Sequence, residues 1–498
     1  MDQKQIDDVV TATAQAYDAA RPQAVASRHA SGHLTARERI AALCDPESFM
    51  ELGVQAESAP NAPGSAPADG VVTGAGRIDG RSVLVASYDY TVYKGTQSRL
   101  NQGKLERLMF LALEHRWPFI CFADGEGDRA QELRGAFGGL GGMGGASGRV
   151  GLFDGLCELS GWVPTVAVVS GTSLDGNAAI AMFCDFVVAT AGSMIGTVEG
   201  QFTVEAHEQM GDIDLVVADE PSAIAAVRKY LSYLMCDLPS GEPSPESETI
   251  RSLVPDNRRR AYDMRKVVLA LADEGSVFEL RPNWGTSMIT SLVRMDGRSV
   301  GMFGNQPMSR LAGAIDSDAS DKMARFLEFC DAYDIPLVSL IDSPGFYIGP
   351  EAERAGIARH HIRTLTAIHH RTVPLYCVQL RKAYGLGPVV MRGSGGHEPP
   401  DLRLAWPTVE TGGMSLEGAA YLVRRKEILA AKSPAEALAI RDEYANTVRD
   451  MQSGLRAGRN FSFDEVIDPA ETRDRIIAML RLSPRPQRTG KKNYLDTI

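Results

Sequence analysis

The two halves of this 498-residue chain repeat one another, which limits the folds that the chain can adopt. The segment Arg77-Ile-Asp-Gly-Arg-Ser-Val83 returns 217 positions later as Arg294-Met-Asp-Gly-Arg-Ser-Val300, and Asp124-Gly125 returns 218 positions later as Asp342-Ser343. Further matches keep the same order at offsets of 210 and 211: Val163-Pro164 with Val373-Pro374, and Thr197-Val-Glu199 with Thr408-Val-Glu410. Ordered matches whose offsets drift only slightly indicate a duplicated domain. We therefore expect two similar domains that build one site from equivalent loops.

Both halves alternate short apolar runs with helical patterns. Phe119-Ile-Cys-Phe-Ala123 and Val166-Ala-Val-Val-Ser170 are continuous apolar runs, which favour strands buried on both faces of a sheet. Leu337-Val-Ser-Leu-Ile341 and Leu375-Tyr-Cys-Val-Gln379 are their counterparts in the second half. A helix with an apolar face precedes the first of these runs, with its apolar positions at Leu105, Leu108, Met109 and Ala112. The pattern predicts an α/β architecture in each half.

A polar, proline-rich segment separates the two copies. It reads Pro239-Ser-Gly-Glu-Pro-Ser-Pro-Glu-Ser-Glu248, a composition typical of a linker. We therefore expect an N-terminal domain over residues 1–240 and a C-terminal domain over residues 250–498.

Charge and composition exclude several classes of protein. The net charge of -11 argues against a general nucleic-acid binder, because phosphate contacts need clustered lysine and arginine. No apolar run approaches the ~18 residues of a membrane-spanning helix, and the N-terminus does not resemble a secretory signal. The seven cysteines are scattered without a CxxC pair, and no HExxH or Cys/His cluster is present. These features predict a cytoplasmic protein with reduced cysteines, no metal, no nucleic-acid partner and no membrane partner.

Each half carries a glycine-containing loop between a buried strand and the start of a helix. These loops are Ser170-Gly-Thr-Ser-Leu-Asp-Gly-Asn-Ala-Ala-Ile180 and Leu380-Arg-Lys-Ala-Tyr-Gly-Leu-Gly-Pro-Val-Val390. Amides at a helix start lack intrahelical acceptors, so such a loop can hold an oxyanion without a charged side chain. Asp175 also fits a simple role as a helix N-cap. Two equivalent loops favour a pair of oxyanion sites.

A second pair of loops follows the preceding strands. Asp124-Gly-Glu-Gly-Asp-Arg129 leads into the glycine run Gly138-Gly-Leu-Gly-Gly-Met-Gly-Gly-Ala-Ser-Gly148, and Asp342-Ser-Pro-Gly-Phe-Tyr-Ile-Gly-Pro350 is the counterpart. The glycine run fits neither a strand–GxGxxG–helix unit nor a P-loop. It is either a mobile cover over a cleft or an inert flexible loop.

Several stretches of the chain resemble the carboxyltransferase (β) subunit of biotin-dependent acyl-CoA carboxylases, of the propionyl-CoA carboxylase type. The resemblance covers nearly the whole chain and is closer in the second half. The stretches that carry it are Thr35-Ala-Arg-Glu-Arg-Ile40, Asn305-Gln-Pro307, Asp321-Lys-Met-Ala-Arg-Phe326, Asp342-Ser-Pro-Gly-Phe346, Arg381-Lys-Ala-Tyr-Gly385, Ala405-Trp-Pro-Thr-Val409 and Asp464-Glu-Val-Ile-Asp-Pro-Ala-Glu-Thr-Arg473.

The resemblance implies a fold and a reaction. The fold would be two tandem crotonase-like domains, each a ββα superhelix, with acyl-CoA bound mainly to the first and carboxybiotin mainly to the second. The cleft would lie between the first domain of one subunit and the second domain of another, within a homohexamer built as a trimer of dimers. The reaction would carry a carboxyl group from carboxybiotin to the α carbon of an acyl-CoA. The chain has no Ala-Met-Lys-Met biotinylation signature, so biotin would sit on a separate biotin carboxylase or biotin carboxyl carrier subunit.

The resemblance also assigns site residues. Backbone amides of Asp175, Gly176, Leu386 and Gly387 would donate to the two oxyanions. Acyl-CoA would contact Gly125, Gly127 and Arg129. Biotin binding or specificity would involve Pro344, Gly345, Phe346, Tyr384 and Val389. The first half departs from the family, because Asp175-Gly176 stands where two glycines are usual and Asp124-Gly-Glu-Gly-Asp-Arg129 replaces the usual Ser-Gly-Gly-Ala-Arg.

Three other functions stay open at this point. The chain could belong to a biotin-dependent acyl-CoA decarboxylase that runs the same chemistry in reverse. It could be a non-catalytic structural paralogue that has lost the acyl site. It could also be a biotin-independent hydratase or isomerase, which needs a positioned acid or base such as Glu126, Asp128 or Glu199.

Overall fold

The computed structural model describes residues 2–57, 66–129, 151–197, 202–258, 260–393, 400–451, 454–483, 490 and 494–496. Within these residues the chain divides into two compact units. The first runs to Met235 and includes residues 494–496, and the second begins at Cys236 and runs to residue 490. Each unit contains a β-sheet together with helices, which confirms the predicted duplication of one α/β domain.

The first unit is built on a seven-stranded sheet in the order β1-β2-β3-β4-β6-β8-β10. The first three strands are antiparallel and the rest are parallel. A smaller parallel sheet, in the order β5-β7-β9, carries the loops of interest. The strands are β1 Met50–Leu52, β2 Val71–Ile78, β3 Arg81–Tyr88, β4 Phe119–Phe122, β5 Gly125–Glu126, β6 Thr165–Val169, β7 Thr172–Leu174, β8 Phe186–Thr190, β9 Met194–Gly196 and β10 Leu215–Val217.

Helices cover this sheet. Leu105, Leu108 and Met109 are fully buried on the helix that the sequence predicted, and their core includes the runs around Phe119 and Ala167. The same helix begins with a capping box between Ser98 and Asn101. The helices are α1 Gln3–Ala16, α2 Pro22–Ala30, α3 Ala36–Leu43, α4 Arg99–His115, α5 Leu152–Leu159, α6 Gly176–Met182, α7 Val204–Met210 and α8 Glu220–Met235.

The second unit repeats this plan. Its eight-stranded sheet has the order β11-β12-β13-β14-β15-β16-β18, and β17 pairs with the far end of β15. The strands are β11 Phe278–Glu279, β12 Met288–Met295, β13 Arg298–Asn305, β14 Leu337–Ser343, β15 Leu375–Tyr384, β16 Leu402–Ala405, β17 Glu410–Gly412 and β18 Glu465–Val466.

The helices of the second unit are α9 Ile250–Leu253, α10 Met264–Leu271, α11 Ser317–Ala332, α12 Pro350–Arg354, α13 Ile357–His370, α14 Gly387–Arg392, α15 Leu416–Val423, α16 Arg425–Ala430, α17 Pro434–Met451, α18 Gly454–Arg459 and α19 Thr472–Leu482. In the part of the chain that the structure describes, no helix is long and apolar enough to cross a membrane.

The β2–β3 and β12–β13 hairpins show why the repeated sequence gives a repeated structure. Both turn at an Asp-Gly pair with positive φ at both residues, Asp79-Gly80 and Asp296-Gly297. Asp-Gly is the sequence that a two-residue type I′ turn requires, and that turn fixes the pairing register. Val71 accordingly faces Tyr88 in the first hairpin, and Met288 faces Asn305 at the same place in the second.

A buried lysine also recurs on the helix that follows each hairpin. Lys104 donates to the carbonyl oxygens of Ala68 and Val71, the first at 2.8 Å. Lys322, at the equivalent position, donates to the carbonyl oxygens of Arg281 and Trp284 at 2.7 and 2.9 Å. Burial lowers the pKa of Lys104 to about 8 and that of Lys322 to about 7. Each lysine thereby fixes the turn that leads into the hairpin.

The segment expected to be a linker packs on the second unit. Glu274 N–H donates to Glu242 O at 2.9 Å, and Ser244 N–H donates to Ala272 O at 3.2 Å. Its proline and serine content therefore reflects a hydrogen-bonded surface segment rather than a free tether.

Candidate functional site

A buried aspartate anchors the loops of each unit. Asp124 follows β4, is fully buried, and accepts hydrogen bonds from Arg39 at 2.6 Å, Arg28 at 3.2 Å and the Ser170 amide at 2.8 Å. Arg39 also contacts Glu220 at 2.7 Å. Burial alone would lower the pKa of Arg39, but the charges of Asp124 and Glu220 raise it above its ordinary value. The ion pairs fix where the loop after β6 begins.

Asp342 is the counterpart at the end of β14. It is also fully buried, and it accepts from Arg381 Nε at 3.1 Å and from the Lys382 amide at 3.1 Å. Its cationic partners lie on the neighbouring strand β15, whereas those of Asp124 lie on helices α2 and α3. The repeat predicted the pair of aspartates, but not their shared role as loop anchors.

In the first loop, Asp175 lies between β7 and α6 with φ 50° and ψ -119°. This is the conformation of the first central residue of a type II′ turn, where glycine is strongly preferred. Its amide donates to Gly196 O at 2.9 Å, and its exposed side chain makes no capping hydrogen bond. Gly176 is the first helical residue, and no acceptor among the described residues takes its N–H. Gly176 is therefore the better placed of the two predicted donors, and the role of Asp175 stays a prediction.

The Gly125–Gly127 segment lies directly against this loop. A Cβ built on Gly127 would fall 2.7 Å from Cβ of Asp175, and one on Gly125 would overlap Asn177 and the Gly95 carbonyl oxygen. The fully buried Asn177 accepts from the Gly127 amide at 3.2 Å. Both glycines are thus needed for close backbone approach at the predicted acyl-CoA side. Apart from its place directly after Asp175-Gly176, Asn177 carries no sequence signal that would predict this contact.

Arg129 ends the same segment but is buried, with 1% of its side chain exposed. Its guanidinium forms an ion pair with the fully buried Asp69 at 2.6 Å and lies over the Tyr93 ring, 4.9 Å from its centroid. The Arg129 amide donates to Gln97 O at 2.8 Å. These contacts hold the segment in place from inside the unit, and a direct contact of Arg129 with acyl-CoA stays a prediction.

The candidate acid–base residues of the first half differ in their surroundings. Glu126 accepts from Tyr90 Oη at 2.7 Å and from Lys94 Nζ at 2.9 Å. Partial burial would raise the pKa of Glu126, but these two hydrogen bonds and the lysine charge lower it, which makes the carboxylate a weak base. Burial and the nearby Asp175 charge raise the pKa of Asp128. Glu199 and the glycine run 138–148 lie outside the described residues.

The second loop is one residue longer than the first. Gly385, with φ +62°, follows β15 directly, and its amide donates to Gly412 O at 2.9 Å, as Asp175 does to Gly196. Leu386 then precedes the first helical residue, Gly387. Among the described residues no acceptor takes the amide of Leu386 or Gly387. The second unit therefore offers two adjacent free donors and keeps glycine at the position that requires it.

The loop after β14 packs against these donors. Gly345 has φ +112°, and its Cα lies 2.9 Å from a Cβ built on Gly387. Pro344 and Phe346 flank Gly345 and are both half-buried. Phe346 stacks on His361, with ring centroids 3.3 Å apart and the planes inclined by 12°. The structure thus brings the predicted residues 344–346 beside Gly387.

Tyr384 and Val389 flank the second loop. The buried Tyr384 donates its hydroxyl to Glu410 Oε2 at 2.5 Å, and Glu410 also pairs with Arg449 at 3.0 Å. Burial and the hydrogen bond to Glu410 raise the pKa of Tyr384, so it stays protonated. Val389 is half-buried on α14, with its amide 3.0 Å from Leu386 O. The sequence did not single out Glu410 as a site residue, although it is the last residue of the repeated segment Thr408-Val-Glu410.

A model of the carboxyl transferase domain matches residues 27–493, which is most of the chain. The chain belongs to the carboxyl transferase family. This carboxyltransferase is 36% identical to the methylmalonyl-CoA carboxyltransferase 12S subunit of Propionibacterium freudenreichii subsp. shermanii, over 94% of this chain and 92% of that one.

Solved structures agree with this assignment. The transcarboxylase 12S structure, with methylmalonyl-coenzyme A and methylmalonic acid bound, superposes with a TM-score of 0.84 at 33% identity, covering 99% of this carboxyltransferase and 98% of that chain. A single-chain, multi-domain long-chain acyl-CoA carboxylase superposes with a TM-score of 0.86 at 37% identity, covering 96% of this chain but only 50% of that one. Both comparisons confirm the crotonase-like fold that the sequence predicted.

Proposed function

We propose that this carboxyltransferase moves a carboxyl group from biotin on a separate carrier protein to the α carbon of an acyl-CoA of the propionyl type. The observation that carries the proposal is the pair of equivalent loops, each with free backbone donors at the start of a helix. The relatives named for methylmalonyl-CoA and propionyl-CoA support this acyl class.

The first half-site is the acyl-CoA side in this proposal. Gly176 N–H donates to the thioester oxygen as it gains negative charge, and Gly127 lets the backbone of the neighbouring loop approach. A preorganised amide needs no reorganisation during the reaction, and losing one such donor typically costs about 10²–10³ in kcat. Asp175 stands beside this oxygen, and its carboxylate would disfavour the oxyanion if it turned inward.

The second half-site is the biotin side. Biotin, when bound, supplies the carboxyl group and afterwards the base that takes the α proton. Leu386 and Gly387 donate their adjacent amides to the ureido oxygen, and the half-buried Phe346 presents an apolar surface to the ring system. The free amides fit a single ureido oxygen, since both precede Pro388 at a helix start and neither has an acceptor among the described residues.

The decisive test uses the purified full chain with methylmalonyl-CoA and free biotin as carboxyl acceptor. We expect methylmalonyl-CoA to be consumed only when biotin is present, with propionyl-CoA as the product. Consumption at the same rate without biotin would favour a biotin-independent enzyme. Failure to bind any acyl-CoA in calorimetry would favour a non-catalytic paralogue.

The proposal includes the predicted partners. The 12S relative forms a hexamer, and we expect this chain to form the same assembly and to act with a biotinylated carrier subunit. Size-exclusion chromatography with light scattering measures the number of subunits in the assembly. Streptavidin blotting of the chains that co-purify from the native host tests for the biotinylated carrier.

A further inference from the structure

His361 is the residue that holds Phe346 in place. It lies in the first half of α13, and its imidazole is stacked on the Phe346 ring at 3.3 Å between centroids and 12° between planes. At this distance the imidazole fills the space over one face of the Phe346 ring, so the ring cannot move in that direction. No motif in the sequence pointed to His361, because its ring meets Phe346 only in the folded chain.

The imidazole is tied to the same backbone that positions the loop. Ile315 N–H donates to Gly345 O at 3.0 Å, and Tyr347 N–H donates to Ile315 O at 2.8 Å. His361 also hydrogen-bonds to the Ile315 backbone, and its Nε2 is buried without a partner among the described residues. The loop 345–347 is therefore held on one edge by Ile315 and on one face by His361.

The ring is uncharged under ordinary conditions. Burial, followed by the repulsion from His360, lowers the pKa of His361 to about 4, although the hydrogen bond to Ile315 opposes this shift. The stack consequently does not change with pH near neutrality.

We infer that His361 is a positioning residue of the second half-site, which acts through Phe346 to preorganise the surface that receives the biotin ring. This inference rests on the proposed function. A loosened Phe346 would lower the affinity for biotin, because ordering the ring would then be part of the binding free energy. The amides of Leu386 and Gly387 do not touch His361, so the chemical step would be unaffected.

The test compares two substitutions of His361 with a matched control on the same helix. His361→Ala removes the stacked ring, His361→Phe keeps a ring but loses the hydrogen bond to Ile315, and His369→Ala changes an exposed histidine. Each protein is assayed with methylmalonyl-CoA and variable free biotin. We expect KM for biotin to rise about 3- to 10-fold in His361→Ala with kcat within about 2-fold. His361→Phe should recover most of the loss, and His369→Ala should match the parent.

The outcomes separate this inference from the proposed function. If the parent protein shows no biotin-dependent turnover, the proposed function fails. If the parent turns over and His361→Ala keeps the parental KM for biotin, the inference is overturned. A merely structural role would lower the melting temperature of His361→Ala and leave KM at the assay temperature unchanged, which also overturns it.

Discussion

The loops after β7 and after β15 leave their strands in the same way, through a residue with positive φ whose amide stays bonded to the next strand. In the second unit that residue is Gly385, and in the first it is Asp175. The second loop then inserts Leu386 before its helix, which gives two adjacent amides without an acceptor in the described part of the chain, whereas the first helix begins directly after Asp175. The loop of the proposed biotin side thus has glycine at the positive-φ position, whereas the loop of the proposed acyl side has a strained aspartate there.

The largest expected effect tests the two anchoring aspartates. Asp342→Asn leaves the buried Arg381 without a carboxylate partner among the described residues, and we expect it to lower the free energy of unfolding by about 3–5 kcal/mol. Asp124→Asn should cost less, because Glu220 still pairs with Arg39 and its charge also acts on Arg28, which loses its direct partner. Urea unfolding measures both. Asp79→Asn, in an exposed turn, is the control, and equal losses for Asp124 and Asp342 would contradict the expectation.

Removing one backbone donor of the second loop tests the second half-site independently of the first. Gly387→Pro deletes an amide without changing the first unit, and we expect kcat for biotin-dependent turnover to fall about 10²–10³-fold. KM for methylmalonyl-CoA should stay near the parental value, and the oligomer should persist in size-exclusion chromatography. Gly387→Ala is the matched control, because it adds the Cβ that would lie 2.9 Å from Gly345 Cα but keeps the amide. Unchanged turnover in Gly387→Pro would show that the Gly387 amide does not stabilise the oxyanion.

The two buried lysines predict different pH windows for stability. Above its folded-state pKa each lysine is neutral in the folded chain but protonated in the unfolded one, so stability rises with pH until about pH 10.5. Between pH 7 and 8, Lys322, with a pKa of about 7, should contribute about 1 kcal/mol to the rise, and Lys104, with a pKa of about 8, only about 0.3 kcal/mol.

Lys322→Met should remove most of the rise in the free energy of unfolding that the two lysines cause between pH 7 and 8, and Lys104→Met should remove only a small part of it. Denaturant titrations at the two pH values measure the difference. If the free energy of unfolding rises as much in Lys322→Met as in the parent, another titratable group causes the rise.

The smallest effect concerns the strained aspartate. Asp175→Gly should raise the free energy of unfolding by about 1 kcal/mol, because glycine adopts this turn conformation without strain. It should also lower KM or raise kcat for the acyl-CoA by removing the carboxylate. Asp175→Ala separates the causes, since it loses the charge but keeps the Cβ. If Asp175→Ala is as stable as Asp175→Gly, backbone strain is not the reason.

Much of the candidate site could be read from the sequence because it lies in repeated, local features. Gly125, Gly127, Gly176 and Gly387 all lie where the repeat placed a turn after a buried strand. Arg129 shows the limit of that approach. Its contact with acyl-CoA stays a prediction, and the sequence gives no sign that its guanidinium pairs with Asp69, which is 60 positions away in the chain.

The sequence by itself determined the duplication, the α/β class, the strands, the Asp-Gly hairpins and the family, since each depends on residues that are neighbours along the chain. Only the tertiary structure decided that the Asp175 amide donates to Gly196 O, that Glu410 accepts a hydrogen bond from Tyr384, and that His361 stacks on Phe346. Those contacts join separate elements and depend on a side chain's depth and direction. A linear pattern does not specify such contacts, because burial and hydrogen-bond partners are set by the packing of the whole unit.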